Sequence, residues 1–205
     1  AITDTEALRE RFENIKCDAR GVGDAVDDLS LGAYRALAAE WRVDAWRSGR
    51  SRLAGAATTL SDDDRVAWYG PSMGARSFLT ARLMEAWAHG QDIVDTVGGD
   101  RPPTDRLRHV AQLGVITRAW SYVNRKMEAP AGEVHAALEA PSGEVWTWGP
   151  GDAADTVQGP AEDFCLVVTQ RRHVDDTGLE VNGKVARDWL VRAQAFAGPP
   201  TDGPG

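Results

Sequence analysis

Apolar residues recur along this chain with two different periods, and the change falls near Pro130. Upstream the spacing is three and four, the signature of helices with one buried face. Thr3-Asp4-Thr5-Glu6 reads as a capping box and predicts a helix from about Asp4, weakened near Gly21 and Gly23. Leu37, Trp41 and Ala45, continued by Leu53, Ala57 and Leu60, predict a second helix over roughly Leu31 to Leu60. A third is expected from near Ser72 to Gly98-Gly99, with Pro102-Pro103 beyond its end. A fourth, capped by Thr104, is expected to run to about Lys126, with Leu107, Val110, Ala111, Gly114, Val115 and Ala119 as its stripe.

Downstream of Pro130 apolar positions alternate. Val134, Ala136 and Leu138 point one way and His135, Ala137 and Glu139 the other, which predicts a half-buried strand. Pro141-Ser142-Gly143 turns the chain into a second strand at "EVWTW", and "DTVQ" reads as a third. Pro160 stands at the first position of a helix, where its missing N–H costs nothing. The i, i+3, i+4, i+7 spacing of Ala161, Phe164, Cys165 and Val168 gives that helix one buried face. "LEVNG" predicts a short strand, and Trp189, Leu190, Ala193 and Phe196 mark a last amphipathic helix. The tail "GPPTDGPG" is expected to be disordered. The fold class is therefore α+β, with a helical bundle over 1–130 and a small α+β domain over 131–205.

Composition narrows the function classes. A chain of 205 residues with 42% hydrophobic content can bury a core, and the net charge of −8 steers it away from nucleic acid and from anionic membrane surfaces. No apolar run approaches the roughly 20 residues that span a bilayer. Two cysteines, Cys17 and Cys165, do not make a disulfide framework, so a cytoplasmic setting is expected. Eight tryptophans suggest a core or a cavity lined by indoles.

Candidate chemistry concentrates in "ARLMEAWAHGQDIVD", Ala81 to Asp95. Glu85 and His89 are four apart and project from one helix face. Such a pair is either a solvated surface contact or two ligands of one cation. Its flanks Leu83, Met84, Ala86, Trp87 and Ala88 are apolar, and a buried carboxylate must be paired or metal-bound. Asp92, three residues past His89, is either an ordinary exposed acid or the partner that orients the ring. Tyr69 and Arg82 are either a packed tyrosine and a surface arginine or residues that face a cavity and bind a ligand. Cys165 lies on an apolar stripe and reads as an inert core thiol. His173 is expected at a helix C-terminus, where the dipole favours a cation, and Arg171 or Arg172 could reach an anionic ligand. Asp62-Asp63-Asp64 reads as a solvated loop and cap.

The stretch "WYGPSMGARSFLTARLMEAWAHGQDIVDTVG", Trp68 to Gly98, closely resembles the actinobacterial branch of the mycothiol-dependent maleylpyruvate isomerase-like proteins, within the DinB-like metal-binding superfamily. "GEVWTWGPGDAADTVQGPAEDFCLVVTQRRH" resembles their C-terminal domain, which is similar to sterol carrier proteins. The resemblance implies a DinB-like four-helix bundle holding a divalent metal, zinc, through a Glu-x-x-x-His helix and one more histidine. The matching ligands are Glu85 and His89. The remaining histidine would lie upstream of Ala1, since His109, His135 and His173 do not match the motif. That predicts either a fragment or a site built differently, with a homodimer or a missing N-terminal segment covering the bundle face that carries Trp41 and Trp87. The activity implied is a thiol-dependent transferase or isomerase that uses mycothiol on a small electrophilic substrate. The alternative is a non-catalytic module that holds a small molecule in the bundle cavity or the C-terminal domain.

Overall fold

The structure, a computed structural model, describes residues 4–16, 31–68 and 72–201. Contacts divide the chain into two compact units, Ala1–Leu79 and Thr80–Gly205. The division expected near Pro130 differs from this one. The helices just upstream of Pro130 share a hydrophobic core with the strands and helices that follow it.

The first unit holds α1 (Thr5–Lys16), α2 (Ala39–Ala57), the paired two-residue strands β1 (Arg65–Val66) and β2 (Met73–Gly74), and the start of α3 (Ala75–Val97). The α1 cap differs from the expected box. The Asp4 carboxylate accepts from the Ala7 amide at 2.8 Å, so Asp4 takes the N-cap role, while Thr3, Cys17, Gly21 and Gly23 lie outside the described residues. The single helix expected over 31–60 is broken. Helix over 31–35 stops, Ala38 is extended, and the Arg42 guanidinium donates to the Leu37 carbonyl at 2.9 Å across the break. No residue of α2 is buried; Trp41 and Trp46 are 62% and 58% exposed, with the Arg50 guanidinium 4.8 Å over the Trp46 ring. The acidic loop is solvated as expected. The Asp64 carboxylate caps the Ser61 amide at 2.7 Å, and Arg76 pairs with Asp62. Because Met73-Gly74 forms β2 against β1, α3 starts three residues later than Ser72.

The second unit builds the core. It contains the rest of α3, then α4 (Leu107–Ile116), α5 (Arg118–Val123), a four-stranded sheet, α6 (Ala161–Val168) and α7 (Lys184–Arg192). The strands are β3 (Val134–Glu139), β4 (Val145–Trp148), β5 (Asp155–Pro160) and β6 (Glu180–Asn182), in the order β4-β3-β5-β6. β3 pairs antiparallel with β4, with Leu138 opposite Trp146, and parallel with β5, with Ala136 opposite Val157. The expected alternation holds on β3: Val134, Ala136 and Leu138 are buried and their neighbours are not. The expected fourth helix breaks at Thr117, whose hydroxyl donates back to the Leu113 carbonyl at 2.7 Å, a side-chain bond that competes with the helical ladder. Thr104 does not cap that helix; its carbonyl accepts the Leu107 amide at 3.0 Å. Pro160 closes β5 and serves as the N-cap of α6. Of the tail, Gly198 and Thr201 are tied in through their carbonyls to Asn124 and Gln170; 202–205 lie outside the described residues.

Trp189, Tyr122, Phe164, Leu138, Val157 and Val168 are fully buried around this sheet, with Phe164 and Trp189 edge-to-face at 5.8 Å. Asp155 fixes the start of α7 by accepting from the Val185 and Ala186 amides at 2.6 and 2.9 Å. A cap of this kind contributes about 1 kcal/mol. α4 packs closely on α6 at Gly114. A methyl group on Gly114 would meet the Val168 side chain at 2.8 Å. Gly114→Ala gains up to about 1 kcal/mol of helix propensity but overpacks a buried, β-branched neighbour at a cost of about 1–3 kcal/mol. The variant is predicted to be less stable by urea denaturation, with part of the loss recovered when Val168→Ala is added. A stability equal to or above that of the native chain would show that the helices can separate freely.

Candidate functional site

From its middle onward α3 presents an acidic ladder: Glu85, Asp92 and Asp95 with His89 among them. Met84 and Ala88, one position before Glu85 and His89, are buried in the core, which turns Glu85 and His89 outward. Expectation and structure differ here. The apolar flanks suggested burial, yet Glu85 is half-buried and the His89 side chain is 68% exposed. The flanking apolar residues occupy other faces of the helix. Trp87 is half-buried beneath Arg101, whose guanidinium lies 5.1 Å over the indole and donates to the Trp87 carbonyl at 2.9 Å. Gly90 leaves room for that arginine, since a Cβ there would lie 2.7 Å from its Nη1.

The imidazole stands between two carboxylates. His89 Nδ1 is 3.0 Å from an Asp92 oxygen, and His89 Nε2 is 3.3 Å from a Glu85 oxygen. Asp92 is itself gripped by Arg171, with Nε and Nη2 on its two oxygens at 3.0 and 2.9 Å. This bidentate guanidinium, and after it the hydrogen bond to His89, hold the Asp92 carboxyl below the usual carboxylate range against the opposing effect of partial burial. An ionised Asp92 can only accept, so its 3.0 Å contact with the ring is a hydrogen bond when Nδ1 carries the proton; Arg171 Nη2 also lies 3.4 Å from that nitrogen. His89 Nε2 stands 3.3 Å from the Glu85 oxygen, close enough for an ion pair when the ring is protonated.

Arg171 is placed by the end of α6. Gln170 has φ +60, the Gln170 amide donates to the Val167 carbonyl at 2.9 Å, and the Arg171 amide donates to the Leu166 carbonyl at 2.8 Å. These two bonds make a Schellman motif with glutamine in the left-handed position that glycine usually fills. The Gln170 amide group donates to the carbonyls of Ala193 and Thr201, both at 3.2 Å, and so holds this conformation. Arg171, 16% exposed, also donates to the Thr169 carbonyl at 2.6 Å. Arg172 makes the parallel pair with Asp95, both distances being 2.8 Å. Arg172, and then Gln91, lower the Asp95 carboxyl to about 2.

A cavity of about 490 Å³ opens at this point, lined by Met84, Glu85, His89 and Asp92 on one side and by Thr169–Arg171, Phe196, Ala197 and Thr201 on the other. Arg82 is half-buried and is not part of this lining, and Tyr69 lies outside the described residues. Arg171 and Arg172 reach helix carboxylates. His173, expected to end a helix, instead caps the short turn Val174–Asp176 by accepting from the Asp175 amide at 3.3 Å. His109 and His135 are on α4 and β3, away from the cavity lining. Cys165 is fully buried, and that burial pushes its thiol far up, which makes it inert. The role of Gln170 had no signal in the sequence, because a left-handed glutamine looks like any other.

A divalent ion can be tested against this donor set. Two donors held by one tetrahedral ion at about 2.1 Å each stand about 3.4 Å apart; Glu85 and His89 stand 3.3 Å apart. The Nδ1–Asp92 bond is the support that metal-bound histidines use. The pair therefore fits two positions of such a site. Among the described residues no group of three His, Cys, Asp or Glu completes it.

The model described as mycothiol maleylpyruvate isomerase N-terminal domain matches residues 4–94, and the chain belongs to that family. A second model, described as wyosine base formation, matches residues 131–180, from the start of β3 to β6. Uncharacterised proteins from two strains of Mycobacterium tuberculosis, CDC 1551 / Oshkosh and ATCC 25618 / H37Rv, are each 43% identical over 204 residues, covering 99% of this chain and 77% of theirs. No solved structure gives a significant match. No described helix is long and apolar enough to cross a membrane.

The Asp95–Arg172 pair predicts a pH effect. A carboxyl lowered from 3.8 to about 2 contributes stability above its ordinary value, and that contribution is lost as pH falls from near 3.8 through about 2. Native protein is predicted to be more stable than Asp95→Asn near neutral pH, with the difference shrinking across that acid window. A difference that stays constant through it would mean the exposed pair contributes nothing.

Proposed function

We propose that this chain is a divalent-metal-binding protein that uses a low-molecular-weight thiol, mycothiol, to transfer to or isomerise a small electrophilic molecule. The observation that carries the reading is the 3.3 Å separation of Glu85 and His89 Nε2, with Nδ1 turned to Asp92. An ion bound there, zinc for this donor set, would supply a Lewis acid that favours the ionised, nucleophilic form of a thiol. The chain's own residues do the rest. Asp92 keeps the proton on Nδ1 and leaves Nε2 as a donor. Arg171 keeps Asp92 ionised and in place. The cavity beside them, about 490 Å³, has room for a small thiol adduct. Tyr69 and Arg82 are proposed as further contacts to thiol or substrate. A cytoplasmic setting goes with this reading, because a free thiol such as Cys165 belongs to a reducing compartment. The exposed indoles of Trp41 and Trp46 on α2 support pairing of that helix with a second copy.

The test is metal content of the full-length protein after zinc loading and dialysis. His89→Ala is predicted to abolish stoichiometric zinc, and Glu85→Gln to weaken it. Asp92→Asn is predicted to cost about 10–100-fold in affinity by loosening the ring. Native stoichiometry in both His89→Ala and Glu85→Gln would place the ligands elsewhere and reduce the pair to a helix contact.

A further inference from the structure

α3 is apolar on two opposite faces. Met84 and Ala88 pack into the core. On the far side Leu79, Leu83, Ala86, Gly90, Ile93 and Val97 recur at steps of four, three, four, three and four. At 100° per residue these six share one stripe, about half a turn from Met84 and Ala88. Ile93 and Val97 are 64% and 71% exposed, Ala86 is exposed, and Leu79, Leu83 and Gly90 are half-buried. At Gly90 the Arg101 guanidinium borders the stripe on the Trp87 side. A helix with two apolar faces belongs between two neighbours, and a stripe of this period is a seam for another helix.

Two features select a reversed copy of α3 as that helix. The steps read the same from either end. An antiparallel copy therefore sets Leu79 against Val97, Leu83 against Ile93 and Ala86 against Gly90. Small residues meet at the centre, where the helices can approach closely, and large ones lie outside them. The charge order is the second feature. Arg76 and Arg82 precede Glu85, Asp92 and Asp95, so the first turn has no acid and the last turn no base. That order runs against the helix's own dipole, which favours acids first and bases last. A reversed copy lays the basic start over the acidic end and opposes the two dipoles; a parallel copy would stack like on like. Arg76, Asp92 and Asp95 keep their partners within the chain, so charge orients the copies and the apolar layers hold them.

We propose that this stripe is an interface between two copies of this chain, joined by antiparallel packing of α3 on α3 about a two-fold axis beside Ala86 and Gly90. The surface is distinct from the indoles of α2, and the pairing needs no metal at Glu85 and His89.

The experiment measures the mass of the full chain by sedimentation velocity at tens of micromolar. The chain carries Trp41→Glu and Trp46→Glu, which removes any pairing through α2. Two copies of the 22.2 kDa chain are expected. Adding Ile93→Glu, which puts a charge into the seam at an exposed position, should raise the dissociation constant at least about a hundredfold and leave single chains, with the melting temperature unchanged. Val97→Glu should do the same, and carries the test should Ile93→Glu fail to fold. Adding Leu83→Lys to Ile93→Glu should restore the pair, because each new lysine faces a new glutamate of the other copy only when the helices run antiparallel. Single chains before any change in the seam would overturn the proposal. So would a pair that survives both Ile93→Glu and Val97→Glu, or a double variant that does not pair again.

Discussion

Two adjacent arginines hold the candidate site together. Arg171 and Arg172 leave the end of α6 side by side and each takes one carboxylate of α3 in a two-pronged grip, Asp92 and Asp95 respectively. The acids are three residues apart, one helical turn, so consecutive residues of a turn can meet consecutive rungs of a helix. Through Asp92 the grip reaches the imidazole, and through the imidazole it sets which nitrogen faces Glu85. Exposed ion pairs contribute little alone. Here geometry matters more than energy, because the same contacts that add modest stability also orient the imidazole.

Much of this was legible in the sequence where one residue type has one physical meaning. The end of α3 was readable because Gly98, with φ +63, takes the left-handed position, and the Gly99 amide closes onto the Val94 carbonyl at 3.0 Å. The end of α6 uses the same motif with Gln170, and nothing in the composition of "VVTQRRH" announces it. Period-two alternation placed β3, while the parallel pairing of β5 beside it depends on partners distant in sequence. The break at Thr117 was hidden because the apolar stripe continues past it on α5; a threonine bonding back to Leu113 looks no different in sequence from one facing water.

The site itself was partly legible. Spacing put Glu85, His89 and Asp92 on one helix, and the structure brings the three into contact. Which of Asp92's two readings applies depends on Arg171, a residue 79 positions away. The sequence allows Arg171 or Arg172 to reach an anionic ligand, and the structure directs both to carboxylates of the chain itself. The apolar flanks misled on burial because a helix turns 100° per residue. Met84 and Ala88 face the core while the residues next to them face the cavity mouth.

Asp92 is predicted to keep the neutral His89 ring protonated at Nδ1, with Nε2 free to act as a donor. It is tested most directly by long-range ¹H–¹⁵N correlation spectra of the full chain, with His89 assigned through His89→Ala, recorded where the ring is neutral. The expected result is the proton on Nδ1 and a large zinc-dependent change confined to the Nε2 resonance. A neutral ring protonated on Nε2, or zinc that perturbs neither nitrogen, would contradict it.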